Sequence, residues 1–433
     1  MLEVAIVTLG CKVNQYESAA MAGLLQAAGC RLVPFYERAE VYIINTCTVT
    51  AKADYESRQL IRRAERQNDK ATIIVTGCYA QVAPQEVASL PGVCAVVGNR
   101  EKSHIVNLLF RENKGSTSVF VSNLREEILF NTPSVLNFPG RTRAFLKIQD
   151  GCDNFCTYCI VPFARGRGRS LPITEVISRL RALTQVGYRE VVLTGVNLSA
   201  YGRDLKPTVN LLSLLQEMAK EKNLPRIRLS SLEPREVTEE LLAFIKENPW
   251  VCPHFHIPFQ SGDDRILSLM GRDYGGKFFE ELVERIVAHL PEAAIGLDVM
   301  VGFPGENEQA FLNTLRMIER LPVSYLHVFP YSPRPMTGAL KLPDQVSAGE
   351  KKKRALLLRD LGRKKREVFL LRYLGKELTI LLEGGKKKSG WQLGRTANYL
   401  PVLVDTPQSK GNTLLSVRAV AVEGDKIKGV VLS

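Results

Sequence analysis

The residues of this chain best suited to chemistry are cysteines. Residues 152–159 read Cys-Asp-Asn-Phe-Cys-Thr-Tyr-Cys, a C-x3-C-x2-C loop with no fourth cysteine nearby. Structural zinc takes four protein ligands in a closed tetrahedron. Three tightly spaced thiolates instead suit a cubane iron–sulfur cluster with one iron left open, and that open iron is where chemistry can occur. A second set is dispersed. Cys11, Cys47 and Cys78 each close a β-branched apolar run, VAIVTLGC, VYIINTC and TIIVTGC, at separations of 36 and 31 residues. One such cysteine alone is more often a small buried hydrophobe. Their repeated placement points to a shared metal or cluster site, with plain packing and a disulfide pair as the alternatives. Cys30, Cys94 and Cys252 follow no such pattern and read as structural.

The elements that must position these thiols follow from periodicity. Between the three N-terminal runs lie helical stretches, ESAAMAGLLQAAG and YESRQLIRRAERQ. Strand and helix alternating at this spacing predict a parallel sheet with crossover helices. The cysteines then meet at the carboxyl ends of the strands, where open α/β sheets hold ligands. Residues 110–139 turn polar, as a linker or an edge hairpin would. From about Arg141, six strand-like runs (AFLKIQ, EVVLTGV, RIRLSSL, HFHIPF, AIGLDVMVGF, YLHVFPY) alternate with amphipathic stretches, predicting a full or partial parallel barrel. A basic helix over roughly Ser347–Leu374 leads into ELTILLE, YLPVLV, TLLSVRAVAV and GVVLS, the strands of a small OB-like β-barrel. The fold class is therefore α/β: a parallel N-terminal domain at 1–135, a partial (β/α) barrel at 136–366, and a small β-barrel at 367–433.

With 433 residues, 45% of them hydrophobic and 24% charged, the chain is neither a disulfide-stapled miniprotein nor disordered. No run reaches the roughly 18 apolar residues that span a membrane, and the first residues read as a strand rather than a leader, so a cytoplasmic location is expected. Nineteen of the basic residues and only seven acidic ones lie from Lys351 onward, leaving the remainder nearly neutral. That asymmetry points to a polyanion, the alternative being a solvated basic helix. Arg141, Arg143, Arg165, Arg167 and Arg169 flank the cysteine loop, where they suit approaching phosphates or a solvated face.

The stretch DGCDNFCTYCIVPFARG, with TLGCKVNQYES, INTCTVT and VTGCYAQ, resembles the radical S-adenosylmethionine methylthiotransferases over nearly the whole chain. The resemblance implies two [4Fe-4S] clusters and S-adenosylmethionine as cofactors. Cys152, Cys156 and Cys159 would hold the cluster that binds S-adenosylmethionine, and Cys11, Cys47 and Cys78 a second cluster that handles the inserted sulfur. It further implies cofactor contacts at Thr194, Gly195 and Asn197, at Arg228, Ser230, Ser231 and Glu233, at Gln260 of HIPFQSG, and at Val301 and Gly302 of DVMVGFPGE. His256 in the same segment is as readily a core histidine. No side-chain acid or base is evident. The segment GRGRS departs from the family's pattern by an extra glycine, which bears on the loop contacts of Arg165, Arg167 and Arg169, the expected RNA contacts there. GRTANY resembles the TRAM signature and implies RNA binding through Arg395, Asn398 and Tyr399, with Trp391 and Lys386, Lys387 and Lys388 nearby.

Members of the family modify an adenosine beside the tRNA anticodon or an aspartate of a ribosomal protein. TLGCKVNQYES followed by INTCTVTAKAD resembles the branch acting on N6-threonylcarbamoyladenosine, whereas YGCQMN marks the isopentenyladenosine branch and LGCPKN the ribosomal-protein branch. The implied partners are the tRNA anticodon stem-loop and an electron donor such as flavodoxin or ferredoxin. A non-catalytic iron–sulfur redox sensor that binds RNA is the reading from another class, and a zinc-dependent RNA-binding protein a third.

Overall fold

The structure is a computed structural model that describes residues 1–110, 117–124, 129–384, 390–406 and 410–432. The N-terminal sheet has six parallel strands in the order Arg31–Val33, Glu3–Thr8, Val41–Thr46, Thr72–Gly77, Val93–Val97, Ser118–Phe120. Val41–Thr46 is buried along its entire length, as a central parallel strand covered by helices on both faces must be. The chain starts in the middle of this sheet and reverses direction between Glu3–Thr8 and Val41–Thr46. That reversal opens a crevice at their carboxyl ends, where Cys11 and Cys47 follow. The expected linker or edge hairpin is corrected here: Ser118–Phe120 joins the sheet as its sixth, parallel strand.

The middle of the chain forms two three-stranded parallel sheets, Ala144–Lys147, Glu190–Thr194 and Arg226–Leu229 in one, His254–Gln260, Ala294–Val301 and Tyr325–Pro330 in the other. They meet where the Leu232 N–H donates to the His256 carbonyl at 2.9 Å, so the six strands make the expected partial barrel. The helix Lys12–Ala27, which begins just after Cys11, adds Tyr16 and Ala20 to the barrel's hydrophobic core, with the Tyr16 ring 6.1 Å from Phe138. One core therefore ties the N-terminal cysteines to the barrel.

The helix Ala348–Leu371, capped by the Ser347 hydroxyl accepting from the Glu350 N–H, leads into a closed five-stranded barrel. Four of its strands match the apolar runs read from sequence. The fifth, Trp391–Thr396, carries the motif GRT and alternates half-buried with buried residues. Lys386, Lys387 and Lys388 lie outside the described residues. Among the described residues no helix is long and apolar enough to cross a membrane.

Candidate active site

Cys11 precedes the helix Lys12–Ala27, Cys47 follows the strand Val41–Thr46, and Cys78 opens the short helix Cys78–Val82. All three line one wall of a cavity of about 1770 Å3. Two glycines make this convergence possible. Gly10 has φ +91°, and a Cβ there would lie 2.8 Å from the Cys47 Cβ; Gly77 has φ +98°, and its Cβ would lie 2.3 Å from the Thr46 carbonyl oxygen. Both positions need the left-handed backbone and the missing side chain. Asn14 ties the loops together by donating to the Leu9 and Thr46 carbonyls at 2.8 and 2.9 Å. Burial, reinforced by the charges of Cys78 and Cys11, pushes the Cys47 thiol up to about 12. All nine cysteines are free, so the disulfide alternative is not realised.

The Cys152–Cys159 loop is pinned by backbone bonds, Cys152 N–H to the Gly166 carbonyl at 3.0 Å, Cys159 N–H to Cys156 at 2.9 Å and Thr157 N–H to Met270 at 3.0 Å. Asn197 Nδ2 lies 3.8 Å from the Cys152 sulfur and an Arg272 N–H 3.4 Å from the Cys156 sulfur. Burial pushes the Cys159 thiol up to about 12, with Cys156 and Cys152 adding to the rise. Three thiols that feel one another's charge, N–H donors aimed at sulfur and no fourth cysteine fit a cluster with an open iron better than a closed zinc site. Asn99 Nδ2, 4.0 Å from the Cys78 sulfur, plays the same part for the first trio.

Of the expected cofactor contacts, Thr194, Gly195 and Ser230 line the cavity at the carboxyl ends of their strands. The Asn197 backbone N–H donates to Gln149 Oε1 at 2.8 Å, which leaves its side chain directed at Cys152. Glu233 pairs with Arg272, the same guanidinium that reaches Cys156. Gln260 stands at φ +64°, buried, and its Oε1 has no hydrogen-bond partner among the described residues. Val301 is wholly buried, and the group that crowds Gly302 is the aliphatic chain of Lys351, 2.3 Å from where a Cβ would stand.

The expected RNA contacts divide. Arg165 and Arg169 are corrected: both are buried, Arg165 against Glu17 and Asn14, Arg169 on Asp150 at 3.1 Å. Their charges are spent on carboxylates that the local sequence does not reveal. Asn398 is corrected too, since its buried amide donates to the Glu292 carbonyl and the Tyr373 hydroxyl, both at 2.7 Å, and so latches the small barrel onto the larger one. Arg167 stays exposed beside Asp153, and Arg395 reaches Glu383 at 3.0 Å while lying 4.4 Å over the Tyr399 ring. Tyr399, at φ +68°, faces the cavity with Arg228 4.8 Å and His254 4.9 Å from its ring.

Sequence reasoning missed three features. Arg272 links Glu233 to the cysteine loop from a turn with no motif of its own. Glu17 sits among Lys102 at 2.5 Å, Lys147 at 2.7 Å and Arg165; burial would raise its carboxyl, and these three cations hold it well below its usual range. His254, Tyr325, His256 and His327 on the cavity wall form a hydrogen-bonded chain with Asp298 behind them, His256 Nε2 lying 2.8 Å from Asp298. Burial opposes the charge of Asp298, but bonds from His256 and His327 bring its carboxyl down to about 2. The alternation that marks His256 as a strand residue says nothing of its facing Asp298 across neighbouring strands.

Residues 146–318 match the model of the radical SAM superfamily, and residues 3–98 that of the uncharacterized protein family UPF0004. The fold is similar to that of the radical S-adenosylmethionine methyltransferase TsrM from Kitasatospora setae, with a TM-score of 0.59 at 17% identity over 78% of this chain and 76% of that one. Fold and cysteine loop thus define a radical S-adenosylmethionine enzyme. The chain is 44% identical to the threonylcarbamoyladenosine tRNA methylthiotransferase MtaB of Aquifex aeolicus, over 88% of this chain and 93% of that one. It is 41% identical to the protein of the same name from Bacillus subtilis, over 93% and 90% of the two chains. The chain belongs to the radical S-adenosylmethionine methylthiotransferase family.

Proposed function

We propose that this protein replaces the C2 hydrogen of N6-threonylcarbamoyladenosine, beside the anticodon of tRNA, with a methylthio group. The observation that carries the reading is the cavity: one wall holds Cys11, Cys47 and Cys78, another the strand ends at Thr194, Gly195 and Ser230, and a third Arg395 and Tyr399 of the small barrel. Its size admits a base turned out of an RNA loop, the posture that chemistry on a base atom requires.

In this reading Cys152, Cys156 and Cys159 hold one [4Fe-4S] cluster and Cys11, Cys47 and Cys78 the other. When bound, the groups supply an electron for reductive cleavage of S-adenosylmethionine and carry the sulfur to be inserted. The chain's residues do the positioning. Asn197 and Arg272 direct N–H groups at the cysteine sulfurs, and Glu233 keeps Arg272 in place. Thr194, Gly195, Asn197, Ser230 and Gln260 offer polar groups to the cofactor. Tyr399 and the arginines around it suit a stacked base with its phosphates. Arg167, Arg395 and Tyr399 remain the RNA contacts of the expected set.

The three units 1–135, 136–366 and 367–433 would then serve sulfur, radical and RNA handling, although the helix Ala348–Leu371 runs through the second boundary. A small electron-transfer protein such as flavodoxin or ferredoxin supplies the electron, and the enzyme works in the cytoplasm with its tRNA. The test is nucleoside mass spectrometry on tRNA that lacks the C2 group, after anaerobic incubation with reconstituted protein, dithionite and S-adenosylmethionine. The 2-methylthio derivative of threonylcarbamoyladenosine is the expected product; thiolation of isopentenyladenosine alone would refute the substrate, and cofactor left intact would favour the redox sensor.

A further inference from the structure

Most cations lining the cavity are already committed. Arg143 pairs with Glu383 at 2.7 Å, though its Nη1 has no hydrogen-bond partner among the described residues; Arg228 pairs with Glu190 at 2.7 Å, Arg165 with Glu17 and Arg395 with Glu383, and Arg363 meets Asp360 only in an exposed surface pair. Arg359 donates to the Val328 carbonyl, and Arg141 and Arg366 lie over the rings of Phe145 and Tyr325. Lys12 differs from all of these. It lines the same cavity and is exposed to it, and among the described residues it has no carboxylate within 4.0 Å, no hydrogen-bond acceptor and no ring. It directly follows Cys11 in the chain.

We propose that Lys12 is a specificity-determining residue that binds the carboxylate borne by the N6 substituent of the target adenosine. The inference rests on the substrate reading above. C2 and N6 flank N1 on one edge of the purine. A base whose C2 faces the cysteine trio therefore carries its N6 arm along the wall next to it, where Lys12 stands. The arm on this substrate ends in an amino-acid carboxylate, and an unpaired ammonium in a partly enclosed cavity is the complement of that group. A phosphate of the RNA backbone is the other anion that Lys12 could meet, and the experiment separates the two.

Anticodon stem-loops are prepared with threonylcarbamoyladenosine as the free acid, as its methyl ester, and with plain adenosine. Their affinities for the reconstituted holoenzyme are measured by anisotropy. The wild-type protein is expected to prefer acid over ester by roughly tenfold to a hundredfold, the span of one charge-assisted hydrogen bond. Lys12→Met brings that ratio close to one, Lys12→Glu inverts it, and Lys12→Arg retains it. Iron content is followed for each variant, so that any one of the three that keeps its iron reads the ratio. An unchanged acid preference in Lys12→Met or Lys12→Glu overturns the assignment, and an equal loss on all three RNAs assigns Lys12 to a phosphate instead. A wild-type enzyme that neither prefers the acid nor modifies it refutes the substrate reading itself, a result distinct from failure of Lys12 alone.

Discussion

Glu17 shows how one side chain couples two parts of this molecule. It lies on the helix that follows Cys11, while its partners Lys147 and Arg165 belong to the barrel strand and to the segment after the cysteine loop. Removing it leaves three buried cations facing one another without their shared carboxylate. Glu17→Ala should therefore cost about 3–5 kcal/mol, the scale for breaking a buried ion network, read from urea unfolding of the apoprotein. A loss below about 1 kcal/mol would place the network among surface-like pairs. The same cluster predicts acid sensitivity. Burial would raise the Asp150 carboxyl, but Lys147, Arg165 and Arg169 hold it at about 2, below its ordinary 3.8. A carboxyl depressed in the folded state contributes stability that is complete above its unfolded value and drains away as pH falls toward its folded one. The wild-type protein should lose stability between about pH 5 and pH 2, and Asp150→Asn should flatten that dependence while lowering stability at neutral pH.

At the scale of elements, the small barrel is held to the large one by a row of polar contacts, among them Arg143 to Glu383, Arg226 to the Thr379 carbonyl and Asn412 to the Gly187 carbonyl. Asn398 donates across to the Glu292 carbonyl and, within its own unit, to the Tyr373 hydroxyl, and Arg228 donates to the Thr396 and Ala397 carbonyls. Asn398→Ala should cost about 1–3 kcal/mol through its unsatisfied partners and should speed proteolysis near Lys376, with the rest of the chain intact. Unchanged proteolysis would remove the latch role. The strands were legible wherever β-branched runs ended in a motif, because parallel strands buried on both faces are written as continuous apolar stretches. Ser118–Phe120 was not, being three residues at a sheet edge, nor was Trp391–Thr396, whose glycine and polar residues hide its alternation. The cysteine trios were legible from spacing and strand ends. The orientation of the arginines was not: Arg165 finds Glu17 at a separation of 148 residues, and nothing local distinguishes an arginine aimed at a carboxylate from one aimed at a phosphate.

The whole molecule carries its positive charge asymmetrically, and part of that charge faces the cavity through the helix Ala348–Leu371, which contributes Arg359, Arg363 and Arg366 to the wall. tRNA affinity should fall steeply with salt, and Arg363→Ala should weaken binding of all tRNAs alike and reduce the log–log salt slope by about one. A slope that does not change would place the RNA on another face. The central claim is that the two cysteine trios, Cys11, Cys47 and Cys78 on the cavity wall and Cys152, Cys156 and Cys159 in the barrel loop, do two different jobs. The most direct measurement follows 5′-deoxyadenosine and the methylthiolated nucleoside together, in single anaerobic reactions of the wild type, Cys156→Ala and Cys47→Ala. Cys156→Ala should form neither product, whereas Cys47→Ala should still cleave S-adenosylmethionine and form no methylthiolated nucleoside. Methylthiolation persisting in Cys47→Ala would contradict the account.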